Sequence, residues 1–355
     1  MAISITKNVI KESIKLLYTC PKYKDILIRL KEYGDSKIVL FGTPAHGNLG
    51  DQAIAISELK YLHDISEKRE IIEIPMPLYK THRKLIKKYI GTNDIIIVSG
   101  GGWMGNLWIH NEITIREIIA DYINNRVIIF PQTLYYTNDE AGQRTAMETK
   151  SIFDKHNDLI LSVRDAQSYE YAQLVLGFGK KHKLLFCPDM VVYGTLANEE
   201  CFIPEKKNAL LCLRSDIEKA NDTDHVRKVL ENTGYDIRET TTVMNHLIPF
   251  SKREQIVKNK IREFGDASIV VTDRLHAMIF ALLSGTPCFA FDNATGKVFG
   301  VGKYLKESGM PVHLIDRMDA SMIENADLKK RKYYLTDELR RYFQQLGKLV
   351  NLKEG

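Results

Sequence analysis

Thr272-Asp273-Arg274-Leu275-His276-Ala277 lies between an apolar run, residues 268–271, and a segment of helical character, residues 277–284. An Arg and a His, two residues apart, stand where a buried strand hands over to a helix. In an open α/β sheet, ligands bind at the carboxyl ends of strands, where the free N–H groups of a helix start favour anions. Arg grips a carboxylate or phosphate through two hydrogen bonds, and His moves a proton near neutral pH. The junction therefore reads as one unit of an α/β sheet and as a place for chemistry on a small anion.

The same alternation extends in both directions. Upstream, short runs rich in Ile and Val at residues 37–42, 69–75, 94–100, 126–132, 158–164 and 184–189 read as strands buried on both faces. Helical segments alternate with them at 52–63, 79–89, 111–124, 139–156 and 166–176. A polar stretch, 197–208, then breaks the pattern and reads as a linker. A second series follows, with strands at 209–214, 235–241, 268–272, 287–291 and 312–315. Its helices are expected at 224–233, 253–264, 275–284, 297–307 and 318–324, with a last helix at 336–352. The chain is thus an α/β protein with parallel sheets in two domains, residues 1–195 and 205–335. The closing segment, 336–355, is expected to pack back on the first domain.

The bulk composition narrows the function classes. A length of 355 residues suits two domains, and 44% hydrophobic with 27% charged residues is ordinary for a globular protein. A net charge of +5 leaves room for an acidic substrate but does not mark a nucleic-acid binder. The five cysteines, Cys20, Cys187, Cys201, Cys212 and Cys288, form no C-x-x-C pair, which suits a reducing cytoplasm and excludes a disulfide framework. No run approaches the ~20 apolar residues of a spanning helix. Residues 5–17 place Ile5, Val9, Ile10, Ile14 and Leu17 at helical spacing, with Lys7, Lys11 and Lys15 largely elsewhere. This is read as a helix packed on the first sheet with a solvated lysine face, the alternative being a peripheral contact with a membrane surface. Nothing has metal-ligand spacing, and no cofactor is called for. His63, His82 and His156 read as surface residues.

Two glycine-bearing turns follow strands of the first series. His46-Gly47-Asn48-Leu49-Gly50-Asp51 is neither a Walker A loop nor G-x-G-x-x-G, yet its N–H groups at a helix start suit an anion. The bland alternative is a βα turn with Asp51 as the helix cap. Ser99-Gly100-Gly101-Gly102-Trp103 reads as a flexible or anion-cradling turn. Trp103 and Trp108, the only tryptophans in the chain, either stack on a ligand ring or pack locally. Arg164 and Arg214 end apolar strands as Arg274 does. A charge there is costly unless paired or solvated. Each reads either as a surface charge or ion-pair partner of a nearby Asp, such as Asp165 or Asp216, or, since three such ends occur in one chain, as part of a shared anion site.

With these motifs in view, the chain resembles the polysaccharide pyruvyl transferase family over about residues 37–293. The resemblance is carried by Gly47-Asn48-Leu49-Gly50-Asp51, Ser99-Gly100-Gly101-Gly102, Pro131-Gln132-Thr133, Val163-Arg164-Asp165 and Pro188-Asp189. It continues through Thr272-Asp273-Arg274-Leu275-His276-Ala277 and Ser284-Gly285-Thr286-Pro287. Thr133 stands where the family usually has Ser, which keeps the hydroxyl. The resemblance implies a GT-B-like fold, two Rossmann-like domains with parallel sheets facing a cleft. It also implies transfer of a pyruvyl group from phosphoenolpyruvate to a sugar of a cell-surface or exopolysaccharide precursor, commonly as a ketal. The family's Arg-Leu-His motif falls on Arg274, Leu275 and His276. Donor binding is expected of Arg274, Leu275, Arg214 and Arg164, and acid–base work of His276 with His46 as second candidate. Gly47, Asn48, Gly50, Asp51, Gly101, Gly102, Trp103 and Gln132 are expected on the acceptor or anion loops. Phosphoenolpyruvate would be a co-substrate, and the glycan acceptor lipid-linked or nucleotide-linked, met in the cytoplasm or at the inner face of the membrane. The rivals are a GT-B-type glycosyltransferase using a nucleotide-sugar donor, and a non-catalytic scaffold that keeps the anion pocket.

Overall fold

A computed structural model describes residues 21–34, 36–66, 69–198, 204, 206–214 and 223–351. The amphipathic segment 5–17 lies outside the described residues. The first half contains α1 (Pro21–Glu32), β1 (Ile38–Thr43), α2 (Leu49–Ile65), β2 (Ile71–Pro75), α3 (Met76–Lys88), β3 (Ile95–Val98) and β4 (Gly101–Gly105). It continues with α4 (Ile109–Asp121), β5 (Arg126–Tyr135), α5 (Glu140–Phe153), β6 (Asp158–Val163), α6 (Ala166–Leu174), β7 (Lys183–Phe186) and a 3-10 turn, Met190–Tyr193. The second half contains β8 (Asn208–Cys212), α7 (Thr223–Asn232), β9 (Asp236–Glu239), α8 (Arg253–Gly265), β10 (Ile269–Thr272) and α9 (Leu275–Leu283). It ends with β11 (Cys288–Ala290), α10 (Lys297–Glu307), β12 (Val312–Leu314), α11 (Ala320–Asn325) and α12 (Asp337–Asn351).

Among the described residues these strands make two sheets, and their pairings are parallel. The first has the order β2-β1-β3-β5-β6-β7, with β4 also paired to β5; the second has the order β12-β11-β10-β8-β9. In each, the chain steps from its first strand to one side and then crosses to the other. The direction of winding therefore reverses between β1 and β3, and again between β8 and β10. Such reversals open a crevice at the carboxyl ends of the two strands, where open α/β sheets hold ligands. The expectation of an α/β protein with two parallel sheets is what the chain forms.

Strand alternation explains the layering, since successive side chains point to opposite faces. Ile38 and Leu40 of β1, and Ile95 and Ile97 of β3, join one apolar cluster, while Val39, Phe41, Ile96 and Val98 join another beneath α1, α3 and α4. The first of these clusters does not stop at the sheet. It runs through α2 (Leu49, Ala53, Ile56) to Val257 and Ile261 of α8, to most of α9, and to Leu210 and Cys212 of β8. The outer face of the second sheet has its own cluster, with Ala209, Leu211, Ile269 and Val271. Helix α12 packs on the first half: Tyr61 Oη donates to Phe343 O at 2.7 Å and Asn351 Nδ2 to Ile65 O at 2.9 Å.

Three local features depart from the sequence reading. Residues 101–105 form strand β4 rather than a loose glycine turn. Strand β5 runs on to Tyr135, with a register shift against β6 between Ile129 and Gln132, where Pro131 has no N–H to give to the ladder. Helix α2 begins at Leu49, capped by Asn48, whose side chain accepts from Gly50 N at 3.1 Å, so Asp51 is not the cap.

Candidate active site

The motif at the end of β10 divides its labour. Thr272 Oγ1 donates to Cys212 O at 2.7 Å and accepts Arg274 N at 3.0 Å. Asp273, fully buried, accepts Arg214 N through Oδ1 at 2.8 Å. Thr272 and Asp273 thus tie the ends of β8 and β10 together, which brings Arg214 and Arg274 to the crevice where the winding reverses. Arg274 is the N-cap residue of α9, with extended backbone, and is 9% exposed. Among the described residues no carboxylate pairs with its guanidinium, and its Nε has no hydrogen-bond partner. A cation so far removed from water requires a counter-charge. Its position at a helix start suits an anion.

His276 sits in the first turn of α9, its side chain 12% exposed. Nε2 lies 3.4 Å from Oδ2 of Asp189, a residue of the first half. That contact is not aligned as a hydrogen bond, and Nε2 is a buried atom with no other hydrogen-bond partner among the described residues. The other side of the ring rests on Gly50, where a Cβ would come within 2.2 Å of Nδ1. Asp189 is fully buried and caps the 3-10 turn, with Oδ1 accepting Val191 N at 2.9 Å. Burial opposes its ionisation, but the Arg164 guanidinium and the His276 ring hold its carboxyl well below the usual carboxylate range.

Arg164 does not join the other two arginines. It is 1% exposed, its Nη1 is bonded to Asp189 Oδ2, and its Nε donates to Thr133 Oγ1 at 2.9 Å. Its charge is engaged within the first half, so it holds Asp189 rather than standing ready for an anion. Thr133 in turn donates to Asp165 Oδ2 at 3.0 Å, and Asp165 caps α6 through Ser168 N. Leu275 is buried in the apolar cluster shared by the two halves and anchors the motif by packing.

The loop from β1 to α2 meets the second half directly. Leu49 N donates to Thr242 O (2.8 Å), Met244 N to Gly47 O (2.8 Å) and Ile248 N to Ala45 O (3.2 Å), and Asn48 and Val243 form an antiparallel bridge. Behind this seam, Arg253 grips Glu73 with two bonds, 2.6 and 3.2 Å. A Cβ on Gly47 would lie 2.0 Å from Met244 O. Gly47 and Gly50 are therefore glycines of close approach: one admits the facing backbone, the other the His276 ring. His46 stays 59% exposed at the rim, 3.7 Å from Asp51, which stands in the first turn of α2.

The second glycine segment supports the site from below. Trp103 packs on Gly42 and Gly101, and its Nε1 donates to Gly100 O at 2.8 Å. Of the two readings for this residue the packing one describes its contacts, whereas Trp108 is exposed. Gly102 faces Arg164 Nη2, 3.0 Å from where its Cβ would be. Gln132 is buried in β5, and its Nε2 braces Ser99 O at 2.8 Å. Two residues had drawn no role from sequence. Asp189 follows a Pro at a strand end, a usable signal, while Glu58 lies in mid-helix and reads there as one more solvated carboxylate. Among the described residues no group of three His, Cys, Asp or Glu is placed to hold a metal ion. The arrangement can bind a small anion at Arg274 and move a proton at His276.

Comparison with known proteins agrees with this picture. The sequence profile described as polysaccharide pyruvyl transferase matches residues 48–295. General stress protein 30 of Bacillus subtilis is 31% identical over 293 residues, covering 81% of this chain and 83% of that protein. Pyruvyl transferase 1 of Schizosaccharomyces pombe is 27% identical over 280 residues, covering 75% of this chain and 68% of that protein. In fold, the chain is similar to the crystal structure of a functionally uncharacterized Klebsiella pneumoniae protein. The TM-score is 0.53 at 19% identity, over 83% of this chain and 98% of that one.

Proposed function

Since this chain belongs to the polysaccharide pyruvyl transferase family, we propose that it carries a pyruvyl group from phosphoenolpyruvate to a sugar of a cell-surface or exopolysaccharide precursor. The observation that carries the donor assignment is Arg274. A buried guanidinium with no carboxylate partner among the described residues, at a helix start, is matched by a ligand that is itself anionic. Phosphoenolpyruvate brings a carboxylate and a phosphate on one small carbon frame, and Arg214 on the neighbouring strand end adds a second cation.

In this reading the enol CH2 of the donor gains a proton and a sugar hydroxyl oxygen bonds to the adjacent carbon. The bond from that carbon to the phosphate oxygen breaks, and inorganic phosphate departs. A second hydroxyl of the same sugar bonds to that carbon and closes the ketal; of the two protons the hydroxyls give up, one offsets the proton taken by the CH2 and the other leaves on the phosphate. His276 is the proton carrier. Asp189, held ionised by Arg164, lies 3.4 Å from the ring nitrogen and fixes where the imidazole can pass a proton. His46, with Asp51 beside it at the exposed rim, meets the acceptor. Among the described residues no helix is long and apolar enough to cross a membrane. A lipid-linked acceptor would be reached from the cytoplasmic face by peripheral contact, and a nucleotide-linked one in solution.

The test is incubation with phosphoenolpyruvate and candidate acceptors, reading inorganic phosphate and the mass of the glycan. Acceptor-dependent phosphate release with a pyruvyl mass gain on the sugar is expected. Release of nucleotide from a sugar nucleotide instead would assign the chain to glycosyl transfer. Phosphoenolpyruvate binding without turnover on any acceptor would favour a scaffold.

A further inference from the structure

Glu58 is a carboxylic acid with no exposed surface, carried on α2 at the carboxyl end of β3. Its two oxygens are spent on one turn: Oε1 accepts Gly100 N at 2.6 Å, and Oε2 is 2.7 Å from Ser99 Oγ. Among the described residues no Lys, Arg or His pairs with it. The other ionisable groups that act on it are both carboxylates, Asp189 beyond β7 and Glu73 of β2, and each already has its own arginine, Arg164 and Arg253. A buried carboxyl that lacks a cation and faces like charges sheds its own charge. Burial, opposed only in part by the Gly100 and Ser99 bonds, pushes its pKa up to about 8.

The turn it grips leads into the site. Ser99 O is held by Gln132 Nε2, Gly100 O by Trp103 Nε1, and Gly102 abuts the Arg164 guanidinium that fixes Asp189 against His276. Gly100 has no slack to offer, since a Cβ there would lie 2.7 Å from Pro131 O. We infer that Glu58 is a positioning residue: as a neutral, hydrogen-bonding acid it splints the Ser99–Gly102 turn against Arg164, and so sets the Asp189–His276 pair at the donor site. The inference rests on the donor reading proposed above. Ionised, the same side chain would still accept the Gly100 and Ser99 bonds but would add a third carboxylate charge, with no cation of its own, beside Asp189 and Glu73; water drawn in to relieve that buried charge would loosen the splint.

Glu58→Gln copies the neutral acid in shape and hydrogen bonding and cannot ionise. Calorimetry with phosphoenolpyruvate on the full chain, at pH 7 and pH 9, gives the first readout. The ratio of variant to wild-type affinity is expected to rise roughly 5–10-fold between the two, because only the wild type loses its splint. A ratio that stays constant overturns the inference. Glu58→Leu, lacking both bonds, is expected to bind weakly at both values; wild-type affinity in it would equally overturn the role. The second readout needs no donor. A carboxyl with a raised folded-state pKa contributes stability that is full below its unfolded value and is lost as pH rises through the folded one. The thermal midpoint of Glu58→Gln should therefore gain on that of the wild type from pH 5 to pH 8. If neither protein binds phosphoenolpyruvate, the donor reading has failed, and this midpoint difference alone decides on Glu58: a flat or falling difference refutes it. A Gln variant that cannot fold refutes it as well, since the fold would then require the carboxylate.

Discussion

His276 Nε2 and Asp189 Oδ2 stand 3.4 Å apart although one follows a strand of the second sheet and the other a strand of the first. The pair exists only when both halves are in place, with Gly50 supporting the ring and Arg164 the carboxylate. Asp189→Asn keeps an acceptor for Val191 N but removes the charge that balances Arg164. Breaking a buried ion pair in this way costs ~3–5 kcal/mol, so the thermal midpoint should fall. Turnover, read as acceptor-dependent phosphate release, should fall by roughly 10²–10⁴. Undiminished turnover in the folded variant would remove Asp189 from the chemistry.

Replacing the ring itself separates binding from catalysis. His276→Gln should still bind phosphoenolpyruvate by calorimetry and turn over at least ~10²-fold more slowly. If turnover persists, the proton carrier is elsewhere, and His46→Ala at the exposed rim is the next variant to assay.

Arg274→Ala should weaken phosphoenolpyruvate binding by roughly 10–150-fold, the ~1.5–3 kcal/mol of a lost charge-assisted contact. Arg274→Lys should recover little, because an ammonium cannot reproduce the two-pronged grip of a guanidinium. Near-normal affinity in either variant would exclude Arg274 from the donor site. Arg164→Lys should behave differently, losing stability more than affinity, since that side chain is bonded to Asp189 and Thr133.

Gly50→Ala adds one methyl group within 2.2 Å of His276 Nδ1. Inside a helix Ala is favoured over Gly by ~1 kcal/mol, so the secondary structure gains while the crowded ring must move. The expected result is a turnover at least ~10-fold lower with a change in stability inside ~1–3 kcal/mol. Normal turnover would show that the ring has room the structure does not display.

Acid sensitivity should arise far from this site. His156 is fully buried, with Nε2 3.0 Å from Tyr122 O and Nδ1 accepting Asp158 N at 3.1 Å. Burial pulls its pKa down to about 4. The folded protein thus holds the neutral ring while the unfolded chain takes a proton from pH ~6.5 downward. Stability is present above that value and is lost as pH falls toward 4, on the order of 3 kcal/mol in all. The difference in thermal midpoint between wild type and His156→Gln should shrink or reverse between pH 7 and pH 4.5. A constant difference would show that His156 does not titrate with unfolding.

The sheets were legible because buried parallel strands leave a plain mark: runs such as 95–98 and 269–272 have no polar side that must face water, and helical spacing fills the gaps. The Arg-Leu-His junction was legible for a related reason, since a charge at the end of such a run stands out. What could not be read locally was decided by tertiary partners. His156 lies in a polar segment, yet the fold buries it under Tyr122. The start of α2 at Leu49 depends on Thr242, far along the chain. Arg164 and Arg274 look alike in sequence and differ only because Asp189 reaches one of them. Glycines 47 and 50 matched an anion loop, while the crowding around them comes from Met244 and His276.

The apolar cluster that crosses from β1 and α2 into α8, α9 and α12 gives both halves one shared interior. Heat or denaturant should dismantle both sheets in one transition. Either half made alone would present that cluster to water and clump. The short backbone seam between residues 45–49 and 242–248 then ties the loop that carries Gly47 and Gly50 to a frame that both halves share.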